Sequence, residues 1–107
     1  MKALGMIEVY GFTTAIVVAD LVAKTADVKV IAIDKNKPAQ AERCRVPLVM
    51  VVKFEGDASS VESALAAGVA AAKQRDLYIT SRLIAGFSEE AEWFSHLNAL
   101  GKDKLKQ

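Results

Sequence analysis

Two β-branched apolar runs constrain this chain more than any other feature. VKVIAID begins at Val28 and LVMVVKFEG begins at Leu48. In each run apolar residues fall on both sides of the alternation, so both runs read as strands that must be covered rather than as an exposed hairpin. Between them lies NKPAQAERCRVP, residues 36–47, which holds both prolines and the only cysteine, Cys44, with an arginine on each side. A dozen residues is too long for a tight hairpin turn, and a stretch of that length inside a compact domain is usually functional.

The rest of the chain supplies the cover. KALGMIEVY (2–10) alternates as a strand, with Leu4, Met6 and Glu8 on one side and Ala3, Ile7 and Val9 near the other. Gly11 breaks it. Ala15, Val18, Ala19, Val22 and Ala26 then recur at helical spacing, with Thr13 or Thr14 as the expected N-cap. After the third strand, 48–54, Gly56-Asp57 makes a turn, and Ser59 with Glu62 reads as a capping box. A second helix follows on Val61, Ala64, Leu65, Gly68, Val69 and Ala72; Gly68 lets it approach the sheet or a neighbour closely. A fourth strand runs over 77–84. Ser88 caps a last helix carrying Trp93, Leu97 and Leu100, and Gly101 ends it. The order β-α-β-β-α-β-α is the ferredoxin-like split βαβ plan, an α/β (α+β) class, with an added C-terminal helix. All 107 residues read as one domain, with helix and tail at 88–107.

Composition excludes several classes. The net charge of +1 gives no basic excess to draw nucleic acid by counterion release. One cysteine cannot form an intrachain disulfide. No apolar run approaches the ~18 residues of a membrane span, and the N-terminus lacks a signal-peptide pattern, so a cytosolic setting is expected. Apolar content of 52% is high for so short a chain and hints at subunit contacts. The single histidine, His96, lies on the last helix with no sequence reason to meet Cys44 or a serine, so no catalytic set is legible and an enzyme is not expected.

ALGMIEVYGFTTAIVVADLVAKTADVKVIAIDK resembles the start of the BMC domain, the shell-protein family of bacterial microcompartments. GDASSVESALAAGVAAAK resembles a second motif of that family, in the same order and spacing. The resemblance covers roughly residues 3–84, interrupted at 36–47. It implies cyclic homohexamers that tile with other shell proteins into the wall of a microcompartment in the cytoplasm, each with a central pore lined by the segment between the second and third strands. It also implies that Lys24, and less directly Arg82, meet a neighbouring hexamer at the edge. Around Arg82 the family's usual R-P-H context is replaced by SRLIAGF.

The segment 36–47 departs from the short glycine-rich loop usual in the family. It looks like the pore of divergent shell proteins from glycyl-radical, propanediol-using compartments, whose cysteine is associated with an iron–sulfur cluster. Clusters are commonly held by four thiolates and one chain offers one. A 4Fe-4S cluster on Cys44 would therefore have to be shared between subunits around an axis. Arg43 and Arg45 favour the thiolate and offset its charge. The two prolines restrict the backbone. From Lys35 to Pro47 the charges are Lys35, Lys37, Arg43 and Arg45 against Glu42, a basic balance. The alternatives are an empty basic pore conducting small anions, with Cys44 as a redox-sensitive gate, or an ordinary buried thiol. A small trimeric nucleotide-binding regulator is a third reading, but no glycine-rich phosphate motif is present.

Overall fold

The computed structural model describes residues 2–36 and 48–86. Six elements follow in order: β1 (Ala3–Tyr10), α1 (Phe12–Thr25), β2 (Val28–Asn36), β3 (Val49–Gly56), α2 (Ala58–Gln74) and β4 (Tyr78–Ile84). The strands form one sheet in the order β2-β3-β1-β4, with antiparallel neighbours throughout. This is the split βαβ arrangement expected from the element order. The added helix expected at 88–100 lies outside the described residues.

Both helices pack on one face of the sheet. Alternation in β1 places Ala3, Ile7 and Val9 there, all fully buried, and the register sets Met50, Val52 and Phe54 of β3 beside them. From α1 come Ala15, Val18 and Val22, and from α2 Val61, Ala64 and Ala72, all at 0% exposure. Two glycines make the close packing possible. A Cβ on Gly5 would stand 2.5 Å from the Phe54 ring, and one on Gly68 would stand 2.5 Å from Ile7 Cδ1. Gly68 thus serves contact with the sheet, one of the two options its place in the helix left open.

The expectation that β2 and β3 are apolar on both faces holds only in part. In β2 the run Val30-Ile31-Ala32-Ile33 spans a register shift against β3. Val30 pairs with Phe54, Ala32 with Lys53 and Ile33 with Val52. The bulge re-phases the alternation, so Val30 and Ile33, three apart, both fall on the helix side, while Ala32 falls on the open face opposite Lys53. In β3 the open face begins with Val49 and Val51, then carries Lys53 and Glu55, both 7% exposed. Lys53 stands 3.7 Å from Asp34, and Lys2 stands 3.2 Å from Glu55. Burial of these charges is compatible with folding because each meets an opposite charge.

Both expected helix starts are corrected. Neither Thr13 nor Thr14 caps α1; Thr14 is buried, and the N-cap is Gly11 at φ 88°, a backbone conformation that suits glycine. Ser59 does not cap α2 with Glu62. Asp57 does, accepting the Ser60 N–H at 2.8 Å and both serine hydroxyls, from Ser59 at 2.9 Å and Ser60 at 3.2 Å. The carboxylate accepts more firmly than a hydroxyl, so the helix begins one turn-fraction earlier than the serines imply. These bonds, led by the Ser60 backbone N–H and then the Ser59 hydroxyl, hold the Asp57 carboxyl below its ordinary value.

Candidate functional site

The segment expected to carry the chemistry, with Arg43, Cys44 and Arg45, lies outside the described residues, as do Trp93 and His96. Its two ends are described. Asn36 closes β2 opposite Val49 of β3. The Leu48 carbonyl accepts the Gly11 N–H at 2.7 Å, and Leu77 O accepts the Tyr10 N–H at 2.9 Å. One rim of the sheet therefore gathers the ends of β1 and β2, the starts of β3 and β4, and the N-terminus of α1. Among the described residues no three of His, Cys, Asp and Glu stand close enough to hold a metal ion.

Lys24 lies in the last turn of α1, where the helix dipole favours a cation. Its ammonium stands 2.7 Å from Asp20, one helical turn earlier, and both side chains are well exposed. With Ala15, Val18, Ala19 and Val22 turned to the core, the 3.6-residue period puts Asp20 and Lys24 on the outermost ridge. Phe12 and Ile16 form one shoulder of that ridge and Val17 and Leu21 the other, each 36–45% exposed. Lys24 stands out in the sequence by resemblance, and Phe12 as an aromatic suited to a core or a subunit contact, but Ile16, Val17 and Leu21 do not. Their signal was present: FTTAIVVADLVA is apolar on more than the single stripe a two-layer packing needs.

Arg82 is placed elsewhere. It sits within β4, opposite Met6 of β1, and so on the face away from the helices. The structure does not bring Arg82 and Lys24 to one surface. Arg82 instead lines a depression of about 330 Å³ with Met6, Glu8, Val51, Thr80 and Ser81. Met6 and Val51 supply an apolar floor, and Glu8 faces Thr80 across the β1–β4 ladder. The register of that ladder shifts between Glu8 and Val9, the next partner after Thr80 being Tyr78. The Ser81 hydroxyl pairs with the Tyr78 hydroxyl at 2.9 Å, and the Lys73 ammonium stands 5.1 Å from the Tyr78 ring centre. Sequence reasoning missed this depression. Only pairing β4 with β1 and counting the register would have put Met6 and Glu8 beside Arg82.

Comparison with known proteins gives consistent results. The BMC domain pattern matches residues 3–86. The bacterial microcompartment shell protein PduK of Citrobacter freundii is 33% identical over 84 residues, which is 78% of this chain and 49% of that protein. The shell protein EutK of Escherichia coli is 32% identical over 93 residues, 87% of this chain and 51% of that protein. The chain spans about half the length of the curated relatives it matches. A crystal structure of a microcompartments protein from Desulfitobacterium hafniense superposes with a TM-score of 0.70 at 32% identity, covering 86% of this chain and 47% of that one.

Proposed function

The chain belongs to the BMC domain family, and from that premise we propose that it is a structural shell protein of a bacterial microcompartment. The observation that carries this reading is the match of one domain pattern over residues 3–86, joined to relatives whose names identify them as shell proteins. No catalytic constellation is needed for the role.

In this reading copies of the chain close into cyclic homohexamers, and these tile with other shell proteins. The rim that gathers the end of β2 and the start of β3 turns toward the axis, so residues 36–47 of each copy line a central pore. Lys24, on the outer ridge of α1, meets the neighbouring hexamer. The donor set fits an iron–sulfur cluster only in an assembly: each chain brings one thiol, Cys44, and a cluster commonly takes four. In a ring Cys44 from several copies would hold it, with Arg43 and Arg45 offsetting its negative charge. A bound cluster would supply one-electron transfer across the shell.

The test is anaerobic purification followed by light scattering, a visible spectrum and an iron assay. A hexamer with iron and visible charge-transfer absorption is expected, and Cys44→Ser should lose the colour and keep the hexamer. A monomer would overturn the shell reading. A colourless hexamer after reconstitution with iron and sulfide would overturn the cluster and leave an open basic pore for small anions.

A further inference from the structure

The depression on the open face of the sheet holds two opposite charges that have no partner among the described residues. Glu8 and Arg82 line the same space, on adjacent strands, two positions out of direct register. Among the described residues neither side chain makes an ion pair or hydrogen bond. This contrasts with Lys53 and Glu55 on the same face, each held by an opposite charge. Met6 stands directly opposite Arg82 and Thr80 directly opposite Glu8, so an apolar side chain and a hydroxyl flank the diagonal between the two charges, and Val51 of β3 lies on the far side of Glu8. The β1–β4 ladder is irregular at Glu8/Val9, beside Thr80, and bulges of this kind re-aim side chains next to binding sites.

We infer that this depression binds a small zwitterion with an apolar body, of the size and type of an aliphatic α-amino acid. Arg82 takes the carboxylate through its forked N–H donors, the geometry that guanidinium and carboxylate share. Glu8 accepts the ammonium. The aliphatic part lies on Met6 and can extend past Glu8 toward Val51. A simple anion is disfavoured because Glu8 stands in the same space, and a simple cation is disfavoured by Arg82. Only a molecule carrying both charges satisfies both walls. Among the described residues the site is shallow and open, so binding is weak and selectivity rests on the paired charges. The inference goes beyond the shell reading and does not depend on it.

The experiment is isothermal titration calorimetry on the full chain with three probes of one shape. L-leucine carries both charges, isocaproate lacks the ammonium and leucinamide lacks the carboxylate. Leucine should bind at least about tenfold more tightly than either, the expected effect of losing one charge-assisted contact. Glu8→Arg and Arg82→Glu should each abolish leucine binding. The double variant Glu8→Arg with Arg82→Glu should restore it, because the ligand can lie the other way round. Circular dichroism melts establish that each variant is folded. No saturable binding by the wild type, equal affinity for all three probes, or a folded double variant that does not recover would overturn the inference. Oligomer size, measured separately on the same samples, decides the shell reading, so the two can fail independently.

Discussion

Substituting Gly68 by alanine sets two effects of known size against each other. The residue sits in the interior of α2, where alanine is favoured over glycine by about 1 kcal/mol. The added Cβ, however, would lie 2.5 Å from Ile7 Cδ1, 2.9 Å from Val22 Cγ2 and 3.3 Å from Val18 Cγ1. All three neighbours are fully buried, and the two valines are stiff at χ1, so only the Ile7 terminal methyl has freedom to move. Extra volume in such a core costs about 1–3 kcal/mol. Gly68→Ala should therefore destabilise by about 1 kcal/mol net, despite its helix propensity. The control is Ala66→Gly on the exposed side of the same helix, which isolates the propensity and should cost about 1 kcal/mol. Ile7→Val removes the clashing methyl and alone should cost about 1 kcal/mol. Combined with Gly68→Ala, it vacates the space the new methyl needs, so the double variant should be about 1 kcal/mol more stable than additivity predicts. Urea unfolding followed by far-UV circular dichroism, at one fixed protein concentration because assembly shifts apparent stability, measures all four. A stabilised Gly68→Ala protein, additive with Ile7→Val, would refute the reasoning.

Three further outcomes are expected. Gly5→Ala places a methyl 2.5 and 2.6 Å from Phe54 ring atoms, so it should destabilise by about 2 kcal/mol, and Phe54→Leu in the same chain should recover part of the loss. Asp57→Asn tests the α2 cap: because folding lowers the carboxyl pKa, its contribution is present above the unfolded value and lost as pH falls through the folded one. The melting-temperature gap between wild type and Asp57→Asn should therefore close on acidification, and a gap independent of pH would contradict the bonding described. If hexamers tile through Lys24 as proposed, Lys24→Asp should prevent extended sheets in negative-stain microscopy while lowering unfolding stability by only about 1 kcal/mol, the sum of a lost exposed pair, a like-charge pair with Asp20 and an anion at the helix C-terminus.

Much of the fold was legible because period and burial agree. Ala3, Ile7 and Val9 sit on the buried face that their alternation assigns, and Ala15, Val18 and Val22 face the core at helical spacing. The errors arose where local chemistry competes. Serines and threonines in FTT and DASS all look like caps, and only geometry chose Gly11 and Asp57. A bulge in β2 imitated a two-sided apolar strand, and the run that begins at Leu48 turns out to bury two charged residues, Lys53 and Glu55, on its open face. The candidate sites were less legible. Lys24 stood out by resemblance, whereas the juxtaposition of Glu8 and Arg82 depends on which strands pair, 74 residues apart in sequence, and no local pattern encodes that.

The pairing of Asn36 with Val49 has a consequence for how this chain can change. Residues 37–47 depart from and return to adjacent points on one rim, held by the β2–β3 ladder and by the bond from Gly11 to Leu48. Lengthening a connection between fixed ends is cheap, about 0.6 kcal/mol for each doubling. The ladder needs no re-registration to absorb it. That rim therefore works as an insertion port: new residues and new chemistry can enter there while the sheet, the two helices and the outer ridge keep their geometry.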